Sequence, residues 1–127
     1  MTEEEDDRLA PTLEIDAETS SNGTRVLALR GELDVATIPH FKGALRSALD
    51  TNERPRLLVD LAEVTFIDST ALMTLLSVLR ELNRREGQLA LACRNPTVLR
   101  LFEVTRTVET FQIFPTRDRA LGHLEAA

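Results

Sequence analysis

A chain of 127 residues is the size of one domain, and at that size roughly two thirds of the unfolded surface can be buried without a metal or disulfide to hold the fold. Hydrophobic residues make up 43% and charged residues 28%, and the five Phe are the only aromatics, which argues against a nucleic-acid platform built on ring stacking. The net charge of −6 leaves no basic patch for a phosphate backbone, and most of it sits in the first eight residues, where Glu3, Glu4, Glu5, Asp6 and Asp7 face only Arg8.

Residues 1–10 therefore read as a disordered acidic tail and 11–127 as the domain. The acidic start lacks the basic and apolar regions of a signal peptide, and no apolar run approaches the roughly 18 residues of a membrane span. The single cysteine, Cys93, precludes an internal disulfide, fits a reducing compartment and reads as a small buried hydrophobe. A cytoplasmic protein is expected.

Leu13 and Ile15 alternate with polar neighbours, so Thr12 to Asp16 is a first strand. The cluster Ser20-Ser21-Asn22-Gly23 turns the chain into a second strand, Arg25 to Arg30, apolar on both faces and ended by Gly31. Thr37 caps a helix with Pro39 in its first turn and a stripe of Ile38, Phe41, Leu45 and Leu49. After Pro55, Leu57 to Leu61 is a buried strand, and Ala62 to Asp68 is a short connection. A long helix runs from about Ser69 to Glu86, closed by Gly87 in the left-handed conformation. Gln88 to Cys93 is a fourth strand, Pro96 opens a helix ending near Glu103, Phe111 to Phe114 is a short strand, and Thr116 caps a last helix. Strands alternating with helices predict an α/β domain: a mixed, mostly parallel sheet of about five strands packed with about four helices, with an antiparallel edge at the front hairpin.

On a helical wheel, Leu72, Leu75, Leu76, Leu79 and Leu82 share the face of the long helix that packs on the sheet, flanked by Ala71 and Val78. Thr70, Met73, Thr74, Ser77, Arg80, Glu81 and Arg84 share the other. Met73 is apolar where solvent is expected, and its neighbours are short. A solvated face favours long charged side chains, so Thr70, Met73, Thr74 and Ser77 read as a surface that lets a partner approach closely.

Asp68-Ser69-Thr70 marks the entry to this helix. Asp or Ser there can cap the first turn. A phosphate on Ser69 would sit at a helix N-terminus, where backbone N–H groups and the dipole favour negative charge. The same dianion would be costly inside a tight interface. Ser69 could thus switch binding without unfolding its own domain.

These residues resemble a known family. Leu57-Leu58-Val59-Asp60-Leu61 followed by Phe66-Ile67-Asp68-Ser69-Thr70-Ala71-Leu72 is similar to the core of the STAS domain of anti-sigma-factor antagonists. Leu29-Arg30-Gly31-Glu32-Leu33-Asp34 with Thr37 resembles that family's first signature. Arg94-Asn95-Pro96 with Val98 and Leu101, then Phe111-Gln112-Ile113-Phe114, resembles its third. The likeness covers about residues 10–124. It implies a protein that binds an anti-sigma factor with serine kinase activity and so frees a sigma factor. It also implies phosphorylation of Ser69 by that kinase, which abolishes binding, and a serine phosphatase that restores it. By the same resemblance Asp68 would orient the Ser69 hydroxyl and Asp34 would sit on the loop beside it; read from the sequence alone, Asp34 is a loop-capping carboxylate.

The chain departs from the family pattern twice. Ala71 stands where many relatives have Gly, which would hold a partner farther off the helix. Thr105-Arg106-Thr107 stands where many have a Thr-Gly pair, which would reshape that helix exit.

Two other roles are weighed. A serine hydrolase needs a base near Ser69, but the histidines, His40 and His123, are distant in sequence and no Gly-x-Ser-x-Gly elbow is present. A STAS-like domain can also serve as a scaffold in a stress-signalling complex or as a subunit of a lipid transporter. No catalytic residue, metal site, cofactor or phosphate-cradling loop is assigned. A monomer or weak homodimer without nucleic-acid or membrane partners is expected.

Overall fold

The computed structural model describes residues 12–50 and 54–126. The expected acidic tail lies outside the described residues. Five strands form one sheet in the order β1-β2-β3-β4-β5: β1 (Leu13–Thr19), β2 (Arg25–Leu33), β3 (Arg56–Ile67), β4 (Gln88–Ala92) and β5 (Ile113–Phe114). β1 runs antiparallel to β2, and every other neighbouring pair is parallel. Among the described residues four helices accompany it: α1 (Ile38–Leu49), α2 (Ser69–Arg84), α3 (Pro96–Val104) and α4 (Arg117–Ala126). Among the described residues no helix is long and apolar enough to cross a membrane.

The period-two alternation of the strands sorts their side chains between two cores. Leu27 and Leu29 of β2, Leu57, Val59 and Leu61 of β3, and Leu89 and Leu91 of β4 share the larger core with α1, α2 and α3. Val26, Leu58, Ala90 and Ala92 face the other way and are covered by Ala120 and Leu124 of α4. The alanines of β4 let α4 lie close to the sheet. α4 also brings Arg117 onto Asp60, which is buried in β3. Arg117 Nε donates to Asp60 Oδ2 at 2.9 Å, and its Nη1 reaches Glu18 of β1 at 3.2 Å.

Four sequence expectations need correction. Gly31 does not end β2. At φ +120 it carries the strand through an irregularity in its pairing with β3, a Cβ there would overlap the Thr12 carbonyl on the other side, and the strand runs on to Leu33. Ala62 to Ile67 is strand rather than connection, because Glu63, Val64, Phe66 and Ile67 still pair with β2. β4 pairs no further along β3 than Asp60, so this last stretch has a neighbour on one side only. Thr37 occupies the N-cap position of α1 without capping it: its hydroxyl donates to the Glu32 carbonyl at 2.9 Å and accepts from the Asp34 amide at 2.9 Å. Finally, the left-handed residue after α2 is Glu86 at φ 58, not Gly87. The Gly87 amide donates to Leu82 O at 2.7 Å and the Glu86 amide to Asn83 O at 3.2 Å, the paired bonds of a Schellman motif. Gly87 is required for another reason, since a Cβ there would strike the Pro55 carbonyl.

Candidate functional site

The parallel strands β2 and β3 end together, Leu33 beside Ile67. Their exits form one site: the loop from Asp34 to Thr37 leading into α1, and Asp68 leading into α2. This is where ligand and partner sites of open α/β sheets are built.

Asp68 is the N-cap of α2. Its extended backbone lets Oδ1 accept from the Ala71 amide at 3.1 Å. Oδ2 accepts from the Val35 amide at 3.2 Å, so the carboxylate also holds the neighbouring loop. Asp68 donates its own amide to Leu33 O at 3.2 Å. Both carboxylate oxygens thus serve backbone N–H groups, so Asp68 clamps the loop to the start of the helix. Asp34 behaves alike: Oδ1 accepts from the amides of Ala36 at 3.0 Å and Thr37 at 3.2 Å, turning the chain into α1.

Ser69 is the first residue of α2 and is exposed. The Leu72 amide donates to Asp68 O and the Ala71 amide to Asp68 Oδ1. The amides of Ser69 and Thr70 have no protein acceptor among the described residues, so the positive end of a 16-residue helix is presented at the Ser69 side chain.

Three large apolar side chains on the loop, on β3 and on α2 are exposed. Val35 is 69% exposed, Met73, one turn farther along α2, is 57% exposed, and Phe66, two residues before Asp68, is 48% exposed. Val35 and Phe66 were not among the sequence candidates. Phe66 carried a signal all the same, since Phe66 and Ile67 are adjacent in a strand and cannot both face the core.

The predicted face Thr70, Met73, Thr74 and Ser77 is only partly free. Thr74 is buried, its hydroxyl donating to Thr70 O at 3.0 Å, because α1 packs beside α2 and covers that arc. Leu76 and Leu79, expected on the face that packs on the sheet, pack against the larger core and are partly buried. Between α1 and α2 runs a groove of about 420 Å3, with Leu45, Met73 and Val78 in its lining and Lys42 and Arg46 on the α1 side. Thr70 and Ser77 line it as well.

Ala71 is fully buried in the larger core, so its methyl does not stand between the helix and a partner as expected. At the end of α3 the Thr107 amide donates to Phe102 O at 2.9 Å and the Arg106 amide to Glu103 O at 3.1 Å, with Arg106 at φ 59. The exit keeps the Schellman shape with Arg in the place that suits Gly.

Neither histidine serves Ser69. His123 stacks on Phe114, with ring centroids 5.0 Å apart, and His40 lines a separate cavity between α1 and β1. Cys93 is buried, and that burial pushes its thiol above the usual range, an effect its contact with the Asn95 backbone opposes.

Comparison with known proteins agrees with this geometry. Residues 14–120 match the STAS domain. The anti-sigma-B factor antagonist of Listeria monocytogenes is 34% identical over 83 residues, covering 65% of this chain and 72% of that protein. An anti-sigma factor antagonist from Mycobacterium paratuberculosis has the same fold with a TM-score of 0.80 and 27% identity, covering 90% of this chain and 95% of that one. The Bacillus cell fate determinant SpoIIAA in its phosphorylated form shares the fold at a TM-score of 0.66 and 20% identity, over 87% of this chain and 98% of that one. The chain therefore belongs to the STAS domain family, among the anti-sigma factor antagonists.

Proposed function

We propose that the protein binds an anti-sigma factor through the surface around Ser69, that this partner is a serine kinase, and that phosphorylation of Ser69 breaks the contact until a serine phosphatase removes the phosphate. The observation that carries the reading is the exposure of Ser69 at the free N-terminus of α2, with Met73 exposed one turn along the same helix and Val35 exposed on the loop that Asp68 holds.

The unmodified hydroxyl is small and neutral, and the exposed apolar side chains of Met73 and Val35 can be buried with it against a partner. A phosphoryl group on Ser69 Oγ could accept from the free amides of Ser69 and Thr70, so the domain tolerates it. Buried in an apolar interface the same dianion loses its water, and binding fails. Reversing a mostly bound partner to mostly free takes about 5.5 kcal/mol of differential affinity. A single carboxylate carries about half the phosphate's charge and would achieve less. The Listeria relative is named as an antagonist of an anti-sigma factor, and the Bacillus structure is of a phosphorylated form. Both agree with this chemistry.

Capture from extract of the source cell, with and without ATP, should return a kinase that adds one phosphate, read by intact mass and mapped to Ser69. Ser69→Ala should keep the partner and take no phosphate; Ser69→Asp should weaken binding. Phosphate mapped to Thr70 would sink the assignment of Ser69. Capture of a transporter ATPase in place of a kinase would sink the sigma reading.

A further inference from the structure

The groove between α1 and α2 reaches Thr70, the residue after Ser69, and both of its walls are helical. The two helices run the same way, since each leaves the end of one parallel strand for the start of the next. Lys42 of α1 and Met73 of α2 each lie about one turn into their helices, and Arg46 lies one turn farther. Neither cation has a carboxylate within ion-pair distance among the described residues, whereas the one acid in the lining, Glu81, lies at the far end and pairs with Arg84 and Arg85. The carboxylates at the helix starts, Asp34 and Asp68, already accept from backbone amides. A chain of net charge −6 thus presents a positive patch beside Ser69, and the N-terminal ends of two helices add to it.

The lining also fixes the shape of what fits. Leu45 and Val78 are buried and form an apolar floor, and Met73 is exposed on the α2 wall. The walls are helices whose backbone groups are already bonded, so an extended segment laid there would bury N–H and C=O groups without partners. A helix satisfies its own. From Thr70 to Glu81 the groove is about 16 Å long, which is three turns of an incoming helix. Lys42 and Arg46 are four residues apart, and two acids four apart on that helix repeat the same spacing of about 6 Å.

We propose that the groove receives an amphipathic helix of the anti-sigma factor, its apolar stripe on Leu45, Met73 and Val78 and its carboxylates on Lys42 and Arg46. The proposal rests on the reading of Ser69 given above and names the chemistry of the partner at that site. It also adds a second way for the phosphate to act. Ser69 lies about 6 Å along the helix axis from Met73, inside the screening length of about 8 Å at physiological salt, so a dianion on Ser69 repels carboxylates seated in the groove.

Lys42 is the only lysine of the chain, which gives a direct probe. A carbodiimide joins an amine to a carboxylate as an amide, with no spacer between them. Applied to the full chain in complex with the purified kinase that phosphorylates Ser69, it should link Lys42 to an Asp or Glu on a helix of that kinase, read by mass mapping. Lys42→Arg should keep the affinity and lose the link. Lys42→Gln/Arg46→Gln should unfold at the wild-type temperature, because both side chains are exposed and unpaired. It should bind about tenfold more weakly at low salt, chiefly through a slower on-rate, and the deficit should shrink as salt rises. Arg100→Gln/Arg119→Gln removes the same charge from α3 and α4 and should bind as wild type. An equal loss in both pairs would make the effect one of net charge and overturn the proposal, as would a link from Lys42 to an extended segment. If the kinase phosphorylates Ser69 while Lys42 gives no link and Lys42→Gln/Arg46→Gln binds as wild type, the groove falls and the reading of Ser69 stands. If no kinase phosphorylates Ser69, both fall.

Discussion

The Val35 amide donates to Asp68 Oδ2 at 3.2 Å while Oδ1 caps α2, so one carboxylate fixes both the helix that carries Ser69 and the loop that flanks it. Removing the cap costs about 1 kcal/mol, with a range of roughly 0.5–2. Losing the loop bond adds to that. Asp68→Ala should destabilise the domain by about 1–2 kcal/mol in urea unfolding and speed hydrogen exchange at Val35. Asp68→Asn keeps an amide oxygen for only one of the two donors and should fall between. An Asp68→Ala protein with unchanged exchange at Val35 would remove the clamp from the account.

Met73 and Thr74 are sequence neighbours with opposite burial, which separates docking from folding. Met73→Glu adds a charge to an exposed position and should leave thermal unfolding nearly unchanged while lowering partner affinity. Thr74→Glu forces a charge between two helices and should cost several kcal/mol. If Met73→Glu bound the partner as wild type does, the exposed Met73 would have no part in recognition.

The order and type of the elements were legible because the hydrophobic period changes cleanly between two and three to four along the chain. The Asp68-Ser69 entry was legible too, since capping chemistry leaves a local signature. What was hidden depends on neighbours distant in sequence. A wheel sorts Thr74 onto the polar arc because it supposes the sheet is the only surface α2 meets, and α1 supplies a second. Gly31 reads as a strand end, yet its φ serves a close pass of Thr12. Asp60 sits inside the apolar run Leu57 to Leu61, a sign that a cation must meet it, but nothing local named Arg117.

Two helix exits use non-glycine residues in the left-handed conformation, Glu86 at φ 58 and Arg106 at φ 59. A side chain there costs roughly 1 kcal/mol relative to glycine. Glu86→Gly and Arg106→Gly should each stabilise the fold by about 0.5–1 kcal/mol, and the gains should add because the sites are on different helices. Glu86 also pairs with Arg54 at 3.2 Å, an exposed contact of little worth, so its net gain should be the smaller. Denaturant midpoints of the two single variants and the double variant check both the sign and the additivity.

Asp60 and Arg117 join α4 to the sheet across 57 residues of sequence, with the Asp60 side chain 11% exposed and that of Arg117 33% exposed. Asp60 Oδ1 also accepts from the Ala62 amide at 2.9 Å, so the carboxylate is satisfied on both oxygens. The Arg117 guanidinium is held protonated beyond its ordinary range: burial opposes its charge, but the bonds to Asp60 and Glu18 outweigh it. Breaking a fully buried pair costs about 3–5 kcal/mol, and solvent at Arg117 reduces this to roughly 2–3. Arg117→Ala strands the Asp60 carboxylate and should be the worse single change. Asp60→Leu with Arg117→Met should recover much of the loss, because the surrounding Val26, Leu58 and Ala92 form an apolar wall. A double-mutant cycle in urea reads the coupling directly. A coupling near zero would mean that α4 is held by Ala120 and Leu124 alone, and that the charge pair only fills space at the edge of the smaller core.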